Sequence, residues 1–276
     1  MPDDFNQQVI EEFRAHHGKV GGFLEGARLL LLTTRGARSG RPRTVPLGYL
    51  PDGGERVLVI ASAAGAPRHP AWYHNLLAHP EVTVEDGVFT YRARAVPLAG
   101  QERDRAFARA VEADPGWAEY QSRTDRILPV VALHALPAEG PPNVNAGSMA
   151  EGLKVIHDAF RRELALLRSE MSASGPGLGA QLRANCLTFC HGLHNHHTGE
   201  GLGLLPAVEA RHPQAAQAVA RLHAEHEKIA ALVEELRAAI DGGDAAVARA
   251  EVERLTFELE AHLAYEEEQL IPLLDV

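Results

Sequence analysis

Near the start of the chain, apolar side chains recur at Phe5, Val9, Ile10 and Phe13 with polar residues between them, which is the spacing of one helical face. The period then shortens. Runs rich in β-branched and aromatic residues predict strands over 29–34, 44–50, 57–62, 82–85, 88–96 and 127–136. Turn chemistry separates them, as at Asp52, Gly53 and Gly54 and again at Asp86 and Gly87. Two short helices are expected near 72–78 and 101–113. Together these elements predict a small antiparallel barrel with helical additions.

Between residues 137 and 149 the stretch PAEGPPNVNAGSM is too rich in Pro, Gly, Asn and Ser to continue a helix or a strand, and reads as a connector. Beyond it the pattern is helical throughout. Helices are expected over 150–171, 179–210, 213–240 and 245–273, broken by a glycine-rich segment at 172–179 and by Asp241, Gly242 and Gly243. Four such helices with short connections make an antiparallel all-α bundle about 30 Å long. The expected organisation is a barrel domain of α+β class over 1–137, a linker over 138–148 and a four-helix bundle over 149–276.

Composition supports two soluble domains. The 276 residues are 45% hydrophobic and 23% charged, which excludes a disordered or collagen-like chain. No apolar run approaches the roughly 20 residues of a membrane span, and the polar start lacks the basic and apolar regions of a signal peptide, so a cytoplasmic protein is expected. Charge and histidine divide unevenly. Residues 1–137 hold 16 basic and 16 acidic side chains, whereas residues 138–276 hold 11 and 21, so the whole net charge of −10 belongs to the second part. Nine of the 15 histidines lie there too. This balance argues against a nucleic-acid partner, which needs a basic face, and suggests a cation site.

Each expected bundle helix offers ligands. The first carries His157. The second carries HHTGE, with His196 and Glu200 four apart and His197 beside them. The third carries His223 and His226, and the fourth repeats the HxxxE spacing at His262 and Glu266. Two metal ions held about 3.5–4 Å apart need bridging carboxylates to offset their repulsion, while neutral imidazoles suit iron at the outer positions. Cys186 and Cys190 could join His191 and His194 on zinc, but four ligands on successive turns of one straight helix cannot wrap a tetrahedral ion.

On these residues, the segment from about 149 to 276 resembles hemerythrin and the HHE cation-binding proteins. The resemblance implies a four-helix bundle around a non-haem di-iron site that binds dioxygen, nitric oxide or a peroxide. Its ligands would be His157, His196, His197, Glu200, His226, His262 and Glu266. Hemerythrin has two third-helix ligands four apart. Here position 222 is Leu, which leaves His226 as the ligand and His223 beside it.

The first part carries a different chemistry. TTRGARSGRPRTVPLGY sets Arg35, Arg38, Arg41 and Arg43 around Ser39 and Gly40 in a turn between two expected strands, a grouping suited to phosphate. GAPRHPAWYHNLLAHPEVTV adds a glycine loop, Trp72, Tyr73 and Asn75, apolar aromatic surface of the kind a flat phosphorylated cofactor needs. These segments, with FNQQVIEEFRAHHGKVGG and RTDRILPVVALHAL, resemble the deazaflavin-dependent nitroreductase and quinone reductase family. That family has a split β-barrel fold and uses the 5-deazaflavin coenzyme F(420).

By this resemblance Arg38, Ser39 and Arg43 would clamp the cofactor's phosphate and acidic tail. Ala66, Pro67 and His69 would line its ring, and Trp72, with Tyr49 and Tyr120 as catalytic candidates, would border the acceptor. The expected function is hydride transfer from the reduced deazaflavin to a quinone, nitro compound or similar small molecule, fused to a di-iron domain, with pairing into a homodimer as in related split barrels. The competing reading is a gas or iron sensor, or an oxygen-binding protein, in which the barrel is a non-catalytic partner.

Overall fold

A computed structural model of the chain describes residues 2–54, 56–138, 143–175 and 177–275. It divides into two compact units, with the boundary between Asn145 and Ala146. No helix among the described residues is long and apolar enough to cross a membrane.

In the first unit six strands, β1 (Leu29–Arg35), β2 (Pro42–Pro51), β3 (Arg56–Ile60), β4 (Glu81–Glu85), β5 (Thr90–Pro97) and β6 (Val130–Ala135), close into an antiparallel barrel in the order β1-β2-β3-β6-β5-β4. Helix α1 (Pro2–Ala15) precedes them, and α2 (Ala71–Ala78), α3 (Gly100–Ala113) and α4 (Gly116–Ser122) lie in the connections. Strand alternation serves two cores at once. Leu30 and Leu32 of β1 face the barrel interior with Val59, Val84, Val131 and Leu133, whereas Leu29 and Leu31 pack outside with Val9, Ile10 and Phe13 of α1. On β3 and β6, Leu58, Ile60, Val130 and Ala132 turn outward against Ala106 and Ala110 of α3. Burial on both faces explains why these strands read as continuous apolar runs.

Several boundaries differ from the sequence expectation, each for a local reason. The strand expected over 88–96 starts at Thr90, because the Asp86 carboxylate accepts the Val88 and Phe89 N–H groups and closes a turn. The strand expected over 127–136 starts at Val130, because Gln121 accepts the Leu128 N–H and donates to the Arg126 carbonyl, holding that stretch as a loop. The run expected to reach Ser62 ends at Ile60, where a left-handed turn begins. Helix α4 was not expected. Part of the connector also pairs: the Thr90 N–H donates to the Asn143 carbonyl and the Asn145 N–H to the Val88 carbonyl around a Phe89–Val144 bridge, so its Val144 does what the composition argued against. Residues 139–142 lie outside the described residues.

In the second unit α5 (Met149–Ala173) packs on α6 (Ala180–Gly199) and α9 (Ala245–Leu274), and α8 (Ala216–Gly242) packs on α6 and α9, which makes a four-helix bundle. Ser148 caps α5, its hydroxyl accepting the Glu151 N–H, and Asp244 caps α9 by accepting from Ala246 and Val247. The single helix expected over 179–210 is three pieces. After α6 a π-helical turn spans Glu200–Leu204, and a short α7 (Leu205–Arg211) follows. Two apolar clusters fill the bundle, one from Leu164 and Met171 through Leu193, Leu236 and Leu263, the other from Leu153, Leu205, Leu222 and Leu270.

One close approach in the barrel unit demands glycine. Gly87 has φ +97°, and a Cβ there would lie 2.7 Å from the Gly18 Cα and 2.8 Å from the His17 carbonyl oxygen, backbone that cannot step aside. Gly87→Ala is therefore expected to destabilise the barrel by about 1–3 kcal/mol. Gly54→Ala, where a Cβ meets nothing within 4 Å, leaves stability unchanged. Thermal denaturation of the two variants checks this; equal melting temperatures would contradict the close-approach argument.

Candidate metal centre and cofactor pocket

The two apolar clusters of the bundle are separated by a polar slice. Along α5, His157 lies between Leu153 of one cluster and Leu164 of the other; along α8, His226 lies between Leu222 and Ile229. Helix periodicity therefore aims these side chains inward at the same level. Two groups form: His157, His196, Glu200 and Glu266, and His197, His226 and His262, with the ligand atoms of each group within 4.8 Å of one another.

The carboxylates tie the groups together. Glu200 sets Oε1 3.2 Å from His196 Nε2 and Oε2 3.5 Å from His226 Nε2. Glu266 Oε2 lies 3.5 Å from Nε2 of both His157 and His262. His197 and His226 stack with ring centroids 4.1 Å apart. All five histidine Nε2 atoms and all four oxygens of Glu200 and Glu266 are buried without a hydrogen-bond partner. Orphaned buried polar atoms at this density are costly unless something binds them.

The tautomers say what that is. His157 Nδ1 lies 2.9 Å from Glu267 Oε1, and His262 Nδ1 lies 2.9 Å from Glu225 Oε2. An ionised carboxylate only accepts, so both Nδ1 atoms carry the proton and both Nε2 lone pairs face inward. Lone pairs of imidazole and carboxylate 3.5 Å apart repel unless a cation lies among them. Arg161 pairs with Glu267 and Arg221 with Glu225, so both outer carboxylates are held in place. Sequence reading missed Glu225 and Glu267; the available signal was an acid adjacent to an expected ligand on the same helix.

Electrostatics agree with this donor set. Burial, with His157 adding to it, pulls His196 down to about 3. Burial and His262 pull His226 down to about 4, and burial with His226 drives His197 well below its usual range. These imidazoles stay neutral, as metal ligands must. Burial pushes Glu200 well above the ordinary carboxyl value, and Glu266 nearby pushes it further. His223 is exposed and outside both groups, with its ring 6.4 Å from that of His226. His194 is exposed, and Cys186 and Cys190 are buried in the larger apolar cluster.

In the barrel unit, Arg38 and Ser39 are exposed at the tip of the β1–β2 hairpin, where Gly40 supplies a left-handed turn (φ +67°), and Arg43 is exposed on β2. Buried Asn75 of α2 clasps that hairpin: its Oδ1 accepts the Ala37 N–H at 3.0 Å and its Nδ2 donates to Thr34 Oγ1 at 3.1 Å. Among the described residues no ion pair ties the side chains of Arg35, Arg38, Arg41 or Arg43. A surface cavity of about 590 Å³ opens at the foot of the hairpin, lined by Thr34, Arg35, Gly40, His79, Thr83 and Arg92. It takes in Arg35 but none of Arg38, Ser39 or Arg43.

The expected ring-lining residues follow β3. Ala66 and Pro67 are exposed and His69 is half-buried, while Trp72, 6% exposed, belongs to the barrel interior. Tyr49 packs against that same interior, whereas Tyr120 packs on the outer core beneath α3, so the two tyrosines serve different cores. Arg126, whose role the sequence did not suggest, organises this loop. It donates to the carbonyls of Ala61, Ser62 and Ala66 and meets His69 Nδ1 at 3.0 Å.

Comparison with known proteins bears on both units. The F420H(2)-dependent quinone reductase family matches residues 6–135, and the hemerythrin HHE cation binding domain matches residues 148–274. An F420H(2)-dependent quinone reductase of Mycobacterium tuberculosis is 38% identical over 125 residues, covering 44% of this chain and 83% of the relative. Among solved structures, an F420-H2 dependent reductase is 42% identical over 39% of this chain and 94% of its own, with a TM-score of 0.36. A chain solved as a domain-swapped dimer is 37% identical over 49% of this chain and 100% of its own, with a TM-score of 0.38. The chain belongs to the F420H(2)-dependent quinone reductase family through its first unit, and its second unit matches the hemerythrin HHE cation binding domain.

Two predictions follow from the bundle's polar slice. The outer carboxylates fix the Nδ1–H tautomers, so Glu225→Ala and Glu267→Ala should each weaken metal affinity about 10–100-fold. Gln, which still accepts the Nδ1–H, should restore part of it. Metal titration followed by absorption reads this, and unchanged affinity in both Ala variants would contradict it.

The second prediction concerns pH in metal-free protein. His196, His197 and His226 have lowered folded pKa values, so the unfolded chain binds more protons below about 6.5 and stability falls as pH drops through that value. Each contributes up to about 2 kcal/mol between pH 7 and 5. Glu200, raised on folding, acts in the opposite sense, one group against three. Chelator-treated protein should thus melt lower at pH 5 than at pH 7, and a melting temperature that rises on acidification would refute the neutral-imidazole assignment.

Proposed function

We propose that this chain takes hydride from reduced coenzyme F(420) and delivers it to a quinone, a nitro compound or a similar acceptor, and that its second unit holds two iron ions that take up dioxygen, nitric oxide or a peroxide. The observation that carries the reductase reading is the clasped hairpin: arginines without carboxylate partners, held against α2 by Asn75. Uncompensated guanidiniums beside backbone amides of a tight turn are a recognition surface for phosphate and carboxylate. Arg38, Ser39 and Arg43 would hold the cofactor's anionic arm, with Arg35 and the adjoining cavity available to its acidic tail. Ala66, Pro67 and His69 would flank the ring, with Tyr49 and Trp72 on the barrel side and Tyr120 on the outer core as the candidates to border the acceptor.

A bound deazaflavin supplies a two-electron hydride. The protein's own work is placement: the Arg126-braced loop presents a rigid edge to the ring, and fixed geometry of this kind lowers the entropic part of the barrier. In the bundle, His157, His196, Glu200 and Glu266 would hold one ion and His197, His226 and His262 the other, with the carboxylates of Glu200 and Glu266 within reach of both groups. Carboxylates with neutral imidazoles suit iron. The flanking leucine layers keep bulk water from the slice, and Glu225 and Glu267 keep the Nδ1 protons in place.

The test is one preparation measured two ways. Iron analysis with a visible spectrum is expected to give about two irons per chain with oxo-bridge absorption. Fluorescence titration with coenzyme F(420) is expected to give a Kd below about 1 mM, roughly −4 kcal/mol, and the reduced cofactor should turn over with a quinone. No iron, or no cofactor binding, would overturn the corresponding half.

A further inference from the structure

The loop between β3 and α2 is built to hold one imidazole in one protonation state. Ala63 and Ala64 have φ of 45° and 51°, in the left-handed region that residues with a Cβ rarely adopt, and Gly65 follows at 80°. A Cβ on Gly65 would lie 2.8 Å from both the Tyr120 carbonyl oxygen and the Arg123 Cβ, so this turn is seated directly on α4. Strain of this kind persists only where the surroundings over-determine it. Here the brace is Arg126. Its Nε donates to the Ala66 carbonyl at 2.8 Å, one terminal nitrogen donates to the Ala61 carbonyl at 3.0 Å, and the other donates to the Ser62 carbonyl. Arg126 is itself stapled, because Gln121 Nε2 donates to its carbonyl at 2.8 Å.

The same nitrogen that reaches Ala61 also lies 3.0 Å from His69 Nδ1. A guanidinium has five donors and no acceptor and stays protonated in proteins. His69 Nδ1 must therefore accept, which leaves the proton on Nε2, on the side of the ring turned away from Arg126. Nε2 has no partner among the described residues. Tyr73 and His74 flank the ring, with centroids 5.0 and 5.9 Å away. Protonation of Nδ1 is opposed as well: burial, then the charge of Arg126, then His74, hold His69 below its ordinary value.

We propose that His69 is a catalytic residue whose Nε2–H serves as a fixed, neutral hydrogen-bond donor to an oxygen of the flat heteroaromatic ring bound at this loop. This rests on the reductase reading above. A reduced ring carries more electron density on its oxygens than an oxidised one, so a donor aimed there holds the reduced form more tightly. Because the donor is neutral and pre-positioned, its work would be to retain and orient the reduced ring for transfer. Arg126 is a positioning residue that acts through His69 by setting its tautomer.

The test uses the full chain with coenzyme F(420). Long-range ¹⁵N–¹H NMR of histidine-labelled protein at pH 7 should give the Nε2–H tautomer for His69; an Nδ1–H tautomer or an imidazolium overturns the proposal. In parallel, His69→Gln, His69→Asn and His69→Leu are compared with wild type for the ratio of reduced to oxidised cofactor affinity and for kcat. Gln places an N–H where Nε2 stood and should stay within about threefold of wild type, whereas Asn, too short to reach, and Leu should lose about tenfold in the ratio, the size expected for one hydrogen bond to a charged or electron-rich oxygen. If wild type binds the cofactor and all three variants match it, or if Gln falls as far as Leu, the donor role is wrong while the reductase reading stands. If wild type binds no deazaflavin, both fall together, and the NMR result still reports the tautomer.

Discussion

The bundle is organised around an interaction that is repulsive until a cation enters it. Nine buried nitrogen and oxygen atoms without hydrogen-bond partners among the described residues occupy one slice of an otherwise apolar interior. A buried polar atom without a partner costs on the order of 1–3 kcal/mol, so a slice of nine is a structure folded in anticipation of a ligand rather than for its own stability. The leucine layers on either side bear the stability. They also lower the local dielectric, which sharpens the demand for positive charge. The Nδ1–H hydrogen bonds that Glu225 and Glu267 accept make the demand specific, since they leave His262 and His157 without an Nε2 proton to donate to Glu200 or Glu266.

The barrel unit uses arginine in two opposite ways, and the contrast locates its chemistry. Arg126 has its donors committed to backbone carbonyls and a histidine, so its charge goes into shaping a loop. Among the described residues the hairpin arginines have no such commitments, and the hairpin itself is held by an uncharged residue, Asn75. A neutral clasp leaves the field of Arg38 and Arg43 uncompensated. Had Asn75 been Asp, it would have accepted the Ala37 N–H equally well while cancelling part of the attraction for an anionic ligand.

Much of this was legible in the residues. The change of period across the connector separates barrel from bundle, and the HxxxE spacing at His196 and His262 turns ligands to one helical face. The legible parts are those where local periodicity and packing agree. What was not legible depends on contacts distant in sequence. Nothing around Arg126 announces that it reaches back some sixty residues to Ala61 and Ala66, and Glu225 gains its role only because His262 packs opposite it. The strand starts at Thr90 and Val130 were missed for a related reason: side chains of Asp86 and Gln121 capture backbone groups that propensity alone assigns to a ladder.

The break in the second helix has a geometric reading. Consecutive residues on an α-helix project about 100° apart, so His196 and His197 cannot share one ion; each faces a different group. Glu200, one turn on, projects between them, and its two oxygens reach His196 on one side and His226 on the other. A single turn of α6 thus supplies a histidine to each group and a carboxylate whose oxygens reach both, whereas α5 and α8 contribute one histidine apiece. The π turn starting at Glu200 re-phases the chain there, so that Leu202 turns to solvent, 82% exposed, and Leu205 rejoins the apolar cluster. The turn separates the register that builds the polar slice from the register that packs leucine.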